Sequence, residues 1–137
     1  MKIIGFNFNK ISVERLSDNF QKLKIENTID LVDVKSSKSD VFSEKESLIE
    51  VKFNFIVNYE PKIAEVVLSG SVLILADPKD AKSFTTHWKD KKLPDEHKVF
   101  LFNVIMKKSN LKALELEDDL NLPLHVPLPS VKDVKKQ

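Results

Sequence analysis

The stretch Ile49-Glu-Val-Lys-Phe-Asn-Phe-Ile-Val-Asn-Tyr59 decides the fold. Ile49, Val51, Phe53, Phe55, Val57 and Tyr59 fall on every second position, with mostly polar residues between them. Side chains of a strand alternate between its faces, so this pattern predicts a long strand with one face on a core. Glu60-Pro61-Lys62 follows and supplies a turn. The next strand, about Ile63 to Ala76, is apolar on both faces: Val66, Leu68, Val72 and Ile74 on one, Val67, Leu73 and Leu75 on the other. Burial of one face alone does not select such a sequence. The strand is either central and covered on both sides, or its second face meets another subunit. Monomers rarely expose large apolar patches, so assembly is the expectation.

Working upstream, a first strand is expected over about Lys2 to Arg15. Ile4, Phe6 and Phe8 share one parity, and Ile11 and Val13 the other. The flip at Asn9-Lys10 predicts a bulge that returns both sets to one side. A second strand, about Gln21 to Lys35, carries Leu23, Ile25, Ile29 and Leu31 on one face. The polar residues 35–47 read as a mobile connection. Downstream the period changes. Asp77-Pro78 opens a helix, with Asp77 as the cap and Ala81, Phe84 and Trp88 as the inner stripe. That helix ends before Leu93-Pro94. Asp95 is expected to cap a second helix running to about Lys108, with residues 111–119 as an extension. Its turns Val99-Phe-Leu-Phe-Asn-Val-Ile-Met106 are apolar nearly all round, which places them between layers or in an interface. The chain then becomes extended and proline-rich, Leu122-Pro-Leu-His-Val-Pro-Leu-Pro129. Strands followed by helices imply an α+β domain: a four-stranded antiparallel sheet with two helices packed on it. Residues 1–129 form one domain in this reading, and 130–137 a disordered basic tail.

The chain has 137 residues, enough for a core without disulfides or metal. It has no cysteine, which excludes a disulfide framework, a thiolate zinc site and a thiol nucleophile. Its opening residues do not form a signal peptide, and no window approaches the roughly 20 apolar residues of a membrane span. These features predict a cytoplasmic protein without membrane insertion. The formal charge of +1 lacks the basic excess of a nucleic-acid binder.

Catalytic signatures are missing. Gly5 and Gly70 are the only glycines, so no phosphate-binding loop can be built. His87, His97 and His125 are scattered and form no metal motif. Asp30 and Asp33 are expected on opposite faces of a strand, which separates them for acid–base work. Ser17-Asp18-Asn19 reads as a turn. No enzyme activity, cofactor or metal is expected. The aromatics Phe84, Trp88, Phe100 and Phe102 pack helices on sheet or line an apolar groove for peptide, and both readings stay open.

Two stretches carry a family resemblance: Lys2-Ile-Ile-Gly-Phe-Asn-Phe-Asn-Lys-Ile-Ser-Val13, and the apolar turns 99–106 followed by Leu120-Asn-Leu-Pro-Leu-His-Val-Pro127. With the element order, they resemble the SecB-like fold over about residues 2–129. That family includes the bacterial export chaperone SecB, antitoxin-linked chaperones and archaeal relatives. The resemblance implies an ATP-independent holdase for unfolded or nascent chains, serving protein export, that assembles as a dimer or tetramer. Phe84, Trp88, Leu93, Phe100, Leu124 and Val126 are the candidate client-binding residues. Two other readings stand beside it: an oligomeric adaptor for one specific protein partner, and a small-molecule-binding α+β domain.

Overall fold

The computed structural model describes residues 1–37 and 46–131. Four strands precede two helices: β1 (Lys2–Arg15), β2 (Lys24–Ser37), β3 (Ser47–Glu60), β4 (Ala64–Ala76), α1 (Pro78–Trp88) and α2 (Asp95–Asp119). The strands form one antiparallel sheet in the order β1-β4-β3-β2. The two most apolar strands are therefore central, and the first two in sequence are the edges. The expected connection 35–47 and tail 130–137 lie largely outside the described residues.

Both helices pack against the same face of the sheet. Its core is the alternating set of β3, Ile49 to Tyr59, opposite Val66, Leu68, Val72 and Ile74 of β4. From β1, Phe6 and Phe8 join Phe53, with ring centroids 5.3 and 6.3 Å from it. Offset aromatic contacts of this kind add to what area burial contributes.

Three register shifts place the edge strands on this core. The expected bulge lies between Phe8 and Lys10, so Phe8 pairs with Gly70 and Val13 with Val66, both on the helix side. A second shift, between Ile3 and Gly5, was not anticipated. It puts Ile3 rather than Ile4 on the core face and leaves Ile4 exposed. A third shift, between Leu31 and Asp33, buries Val34 against Val51. It also corrects the reading of the two aspartates. Asp30 pairs with Asn54 and Asp33 with Lys52, so both occupy the sheet face away from the helices. There Asp33 accepts the Val34 amide at 2.9 Å and approaches Lys35 at 3.8 Å.

Asp77 caps α1 as expected, accepting the Asp80 amide at 2.8 Å. Helix α2 takes in the expected extension and runs continuously to Asp119. It differs from expectation at its start, where Pro94 rather than Asp95 occupies the cap, with no side-chain cap bond. The ring fixes φ of Pro94 (−55°), and its ψ of 145° is non-helical, as suits the residue just outside a helix, so Asp95 becomes the first helical residue. The buried positions of α2 are His97, Leu101, Ile105, Ser109, Ala113 and Glu117, one every fourth residue. Of the apolar turns 99–106, Leu101 and Ile105 face the core, while Val99 and Met106 are exposed.

The second face of β4 is central within the sheet but lies away from both helices. Val67 and Leu73 are half-buried there and Leu75 is buried, with Leu48 and Ile56 of β3 alongside. Among the described residues, no element packs across this face.

Candidate functional site

A cleft of about 420 Å³ opens where the two helices meet the edge of the sheet. Its walls are Ile29, Asp30 and Leu31 of β2, Trp88 at the end of α1, Lys91, Lys92 and Leu93 of the linker, and Asp95, Lys98 and Phe102 of α2. The linker explains the opening. The Lys91 amide bonds the Trp88 carbonyl at 2.8 Å, and Lys91 takes a left-handed backbone (φ 58°). The chain therefore turns sharply away from α1. Pro94 then restarts it as α2, which packs on β4 and β3, while α1 also reaches β2.

Apolar floor and charged rim are interleaved in this cleft. Trp88, Leu93, Phe102, Ile29 and Leu31 are half-buried. The Lys91 ammonium lies 4.5 Å from the Trp88 ring centroid, and the Lys98 ammonium 5.7 Å from that of Phe102. A cation over an aromatic face is attracted by the ring quadrupole. The cleft holds no convergent set of acid, base and nucleophile. What it offers is burial for a side chain, next to the outer edge of β2, which no strand among the described residues pairs.

The structure brings together two of the six candidate residues, Trp88 and Leu93. Phe84 is fully buried, with its ring stacked on His97 at 4.2 Å and 8°. It belongs to the core because Ala81 and Phe84 form the stripe of α1 that faces the sheet. Phe100 is half-buried on a different side of α2, and Leu124 and Val126 lie in the tail; none of the three lines the cleft. Phe102, one of the aromatics for which the sequence leaves core and groove open, lines the cleft; sequence reasoning missed Ile29, Leu31 and the lysines. The spacing of Asp95, Lys98 and Phe102, three and four residues apart, signalled a shared helix face. The run Lys89-Asp-Lys-Lys92 beside Leu93-Pro94 signalled the basic rim.

A second cluster holds the tail. The Glu117 carboxylate is fully buried and accepts the His125 backbone amide at 3.0 Å and its Nδ1–H at 2.7 Å. His125 Nε2 lies 2.8 Å from Asn110 Oδ1, and the ring meets Phe55 edge-on at 6.0 Å. The Tyr59 hydroxyl donates to the Pro123 carbonyl, and Arg15 donates to the Leu120 carbonyl at 2.9 Å. Burial, reinforced by the nearby Glu117 carboxylate, pushes the Tyr59 phenol above its ordinary value and keeps it a donor. A carboxylate–imidazole pair can serve as acid–base machinery. This one exposes about 1% of the His125 side chain, so no substrate atom reaches it. It is a clamp for the extended tail.

No helix among the described residues is long and apolar enough to cross a membrane. No protein-family model matches the chain, and no curated protein matches it in sequence. Among solved structures it is similar to the SecB-like chaperone Rv1957 of Mycobacterium tuberculosis, determined in complex with a ChAD peptide from the HigA1 antitoxin Rv1956. The identity is 11%, the TM-score 0.52, and the match covers 97% of this chain and 92% of that one. The sheet of four antiparallel strands followed by two helices on one face is therefore a SecB-like fold.

Proposed function

We propose that this protein is an ATP-independent chaperone that holds unfolded or nascent polypeptides, with the helix–sheet cleft as an anchor site for apolar client side chains. The observation that carries this reading is the cleft itself. It is open, aromatic-floored and lacks catalytic constellations, and it sits beside an unpaired strand edge in a fold shared with a chaperone solved with a peptide. An extended segment gains main-chain pairing at β2 and side-chain burial against Trp88, Leu93 and Phe102. One large anchor contributes about 1.5–3 kcal/mol, so binding rests on several weak contacts at once.

The same reading makes the protein a cytoplasmic non-enzyme that associates with copies of itself and serves protein export. Its support for self-association is the apolar face formed by Leu48, Ile56, Val67, Leu73 and Leu75, which no described element covers. A specific-adaptor role is the alternative, and the same experiment separates the two. The protein should suppress aggregation of several unrelated unfolded clients at near-stoichiometric amounts without ATP. Trp88→Ala, shown to be folded by circular dichroism, should weaken that suppression. Failure with every unrelated client would favour the adaptor. Unchanged suppression by the folded variant would remove the cleft from the site.

A further inference from the structure

We propose that the cleft selects client segments in which an apolar anchor is flanked by acidic side chains. The proposal rests on the polypeptide-binding reading and specifies its substrate class.

The argument begins with the lysines. Lys91, Lys92 and Lys98 all line the cleft, from the linker and from the first turns of α2. Among the described residues none of them is in an ion pair, as is true of most lysines on this surface; what sets them apart is their place around one apolar cleft. Two of the three ammonium groups rest over the aromatic floor, Lys91 above Trp88 and Lys98 above Phe102. They occupy the surface on which a client anchor would have to lie.

Two acidic residues, Asp30 and Asp95, also border the cleft, and each has a local explanation. Asp95 sits in the first turn of α2, where the helix dipole favours negative charge. Asp30 is paired in register with Asn54, on the sheet face away from the helices. The lysines are the charges that border the anchor surface.

An incoming aromatic or aliphatic side chain must displace the ammonium groups from the rings. Once displaced, each sits at the rim of a partly desolvated apolar contact, where charge interactions are stronger than in bulk water. A carboxylate next to the anchor gives the displaced ammonium a partner. A neutral neighbour leaves it without one, and a basic neighbour adds like-charge repulsion. The apolar floor thus supplies affinity for any anchor, and the rim ranks clients by what flanks it.

The test uses the full chain and three peptides that share one Leu- and Phe-containing core and a zwitterionic dye. Their flanks are Asp/Glu, Ser/Gln or Lys, and binding is read by fluorescence anisotropy at low and high salt. At low salt the acidic-flanked peptide should bind about three- to tenfold more tightly than the neutral one, with the basic one weakest. Salt near 0.5 M, about a 4 Å screening length, should compress the ranking. The triple variant Lys91→Gln, Lys92→Gln, Lys98→Gln should abolish the ranking, and exposed lysines tolerate that change without loss of fold. Equal binding of the three peptides by the parent would overturn the charge selection and leave the polypeptide-binding reading standing. A ranking that survives in the triple variant would also overturn it. Binding of none of them would overturn both.

Discussion

Gly70 shows how much one position can depend on a distant partner. A Cβ added there would lie 2.1 Å from the Asn7 carbonyl oxygen and 3.0 Å from the Phe8 Cα, both backbone atoms of β1. Backbone cannot rotate out of the way, so β1 would have to move off β4. Gly70→Ala should therefore cost about 1–3 kcal/mol, the range for overpacking a tight site. Gly5 is the control. There the added Cβ meets the Leu73 side chain at 3.0 Å, and that side chain can change rotamer. Gly5→Ala should cost clearly less. Urea denaturation of both variants checks the order, and equal losses would refute the close-approach argument. None of this was legible in the sequence. Only the bulge that seats Phe8 opposite Gly70 creates the crowding, and a glycine within a strand pattern does not reveal its neighbour.

At the scale of elements, the legible features were those with a clean period. The alternation of β3, the doubly apolar β4 and the cap of α1 follow from local chemistry, as does the bulge at Asn9-Lys10, where parity visibly changes. The shifts at Ile4 and Val32 were hidden because apolar residues stand on both parities there. The far end of α2 was hidden for a different reason. Glu117 reads as a solvated helix residue, and its burial depends on His125, which the tail brings back eight residues later. The Leu93-Pro94 break was legible and correctly marked the cleft. Which face of α2 borders the cleft was not: Phe102 lines it and Phe100 does not. The clamp gives a prediction at this scale. His125→Ala removes the partner of a fully buried carboxylate and should cost about 3–5 kcal/mol, with faster amide exchange across residues 122–126. Adding Glu117→Gln to that variant should recover part of the loss, because it removes the stranded charge. A loss below about 1 kcal/mol for the single variant would mean that the pair does not hold the tail.

On the scale of the whole molecule, the helices shield one face of the sheet, and among the described residues no element covers the other. The uncovered stripe around Val67 and Leu73 predicts a molar mass that is a multiple of 15.7 kDa by light scattering at micromolar concentration. Val67→Lys together with Leu73→Lys should reduce the mass while keeping the thermal transition, because neither side chain reaches the helix-side core. A parent of 15.7 kDa would refute assembly. The strand order β1-β4-β3-β2 has a further consequence, for the protein's own synthesis. The strand made first pairs only with the strand made last: Lys2 waits for Leu75, and Arg15 for Ala64. As the chain leaves the ribosome, Phe6 and Phe8 remain unpartnered through the translation of β2 and β3. For that interval the newborn chain presents an extended apolar segment with free main-chain edges, so under the proposed holdase function a finished copy of the protein would meet a suitable client in its own nascent strand.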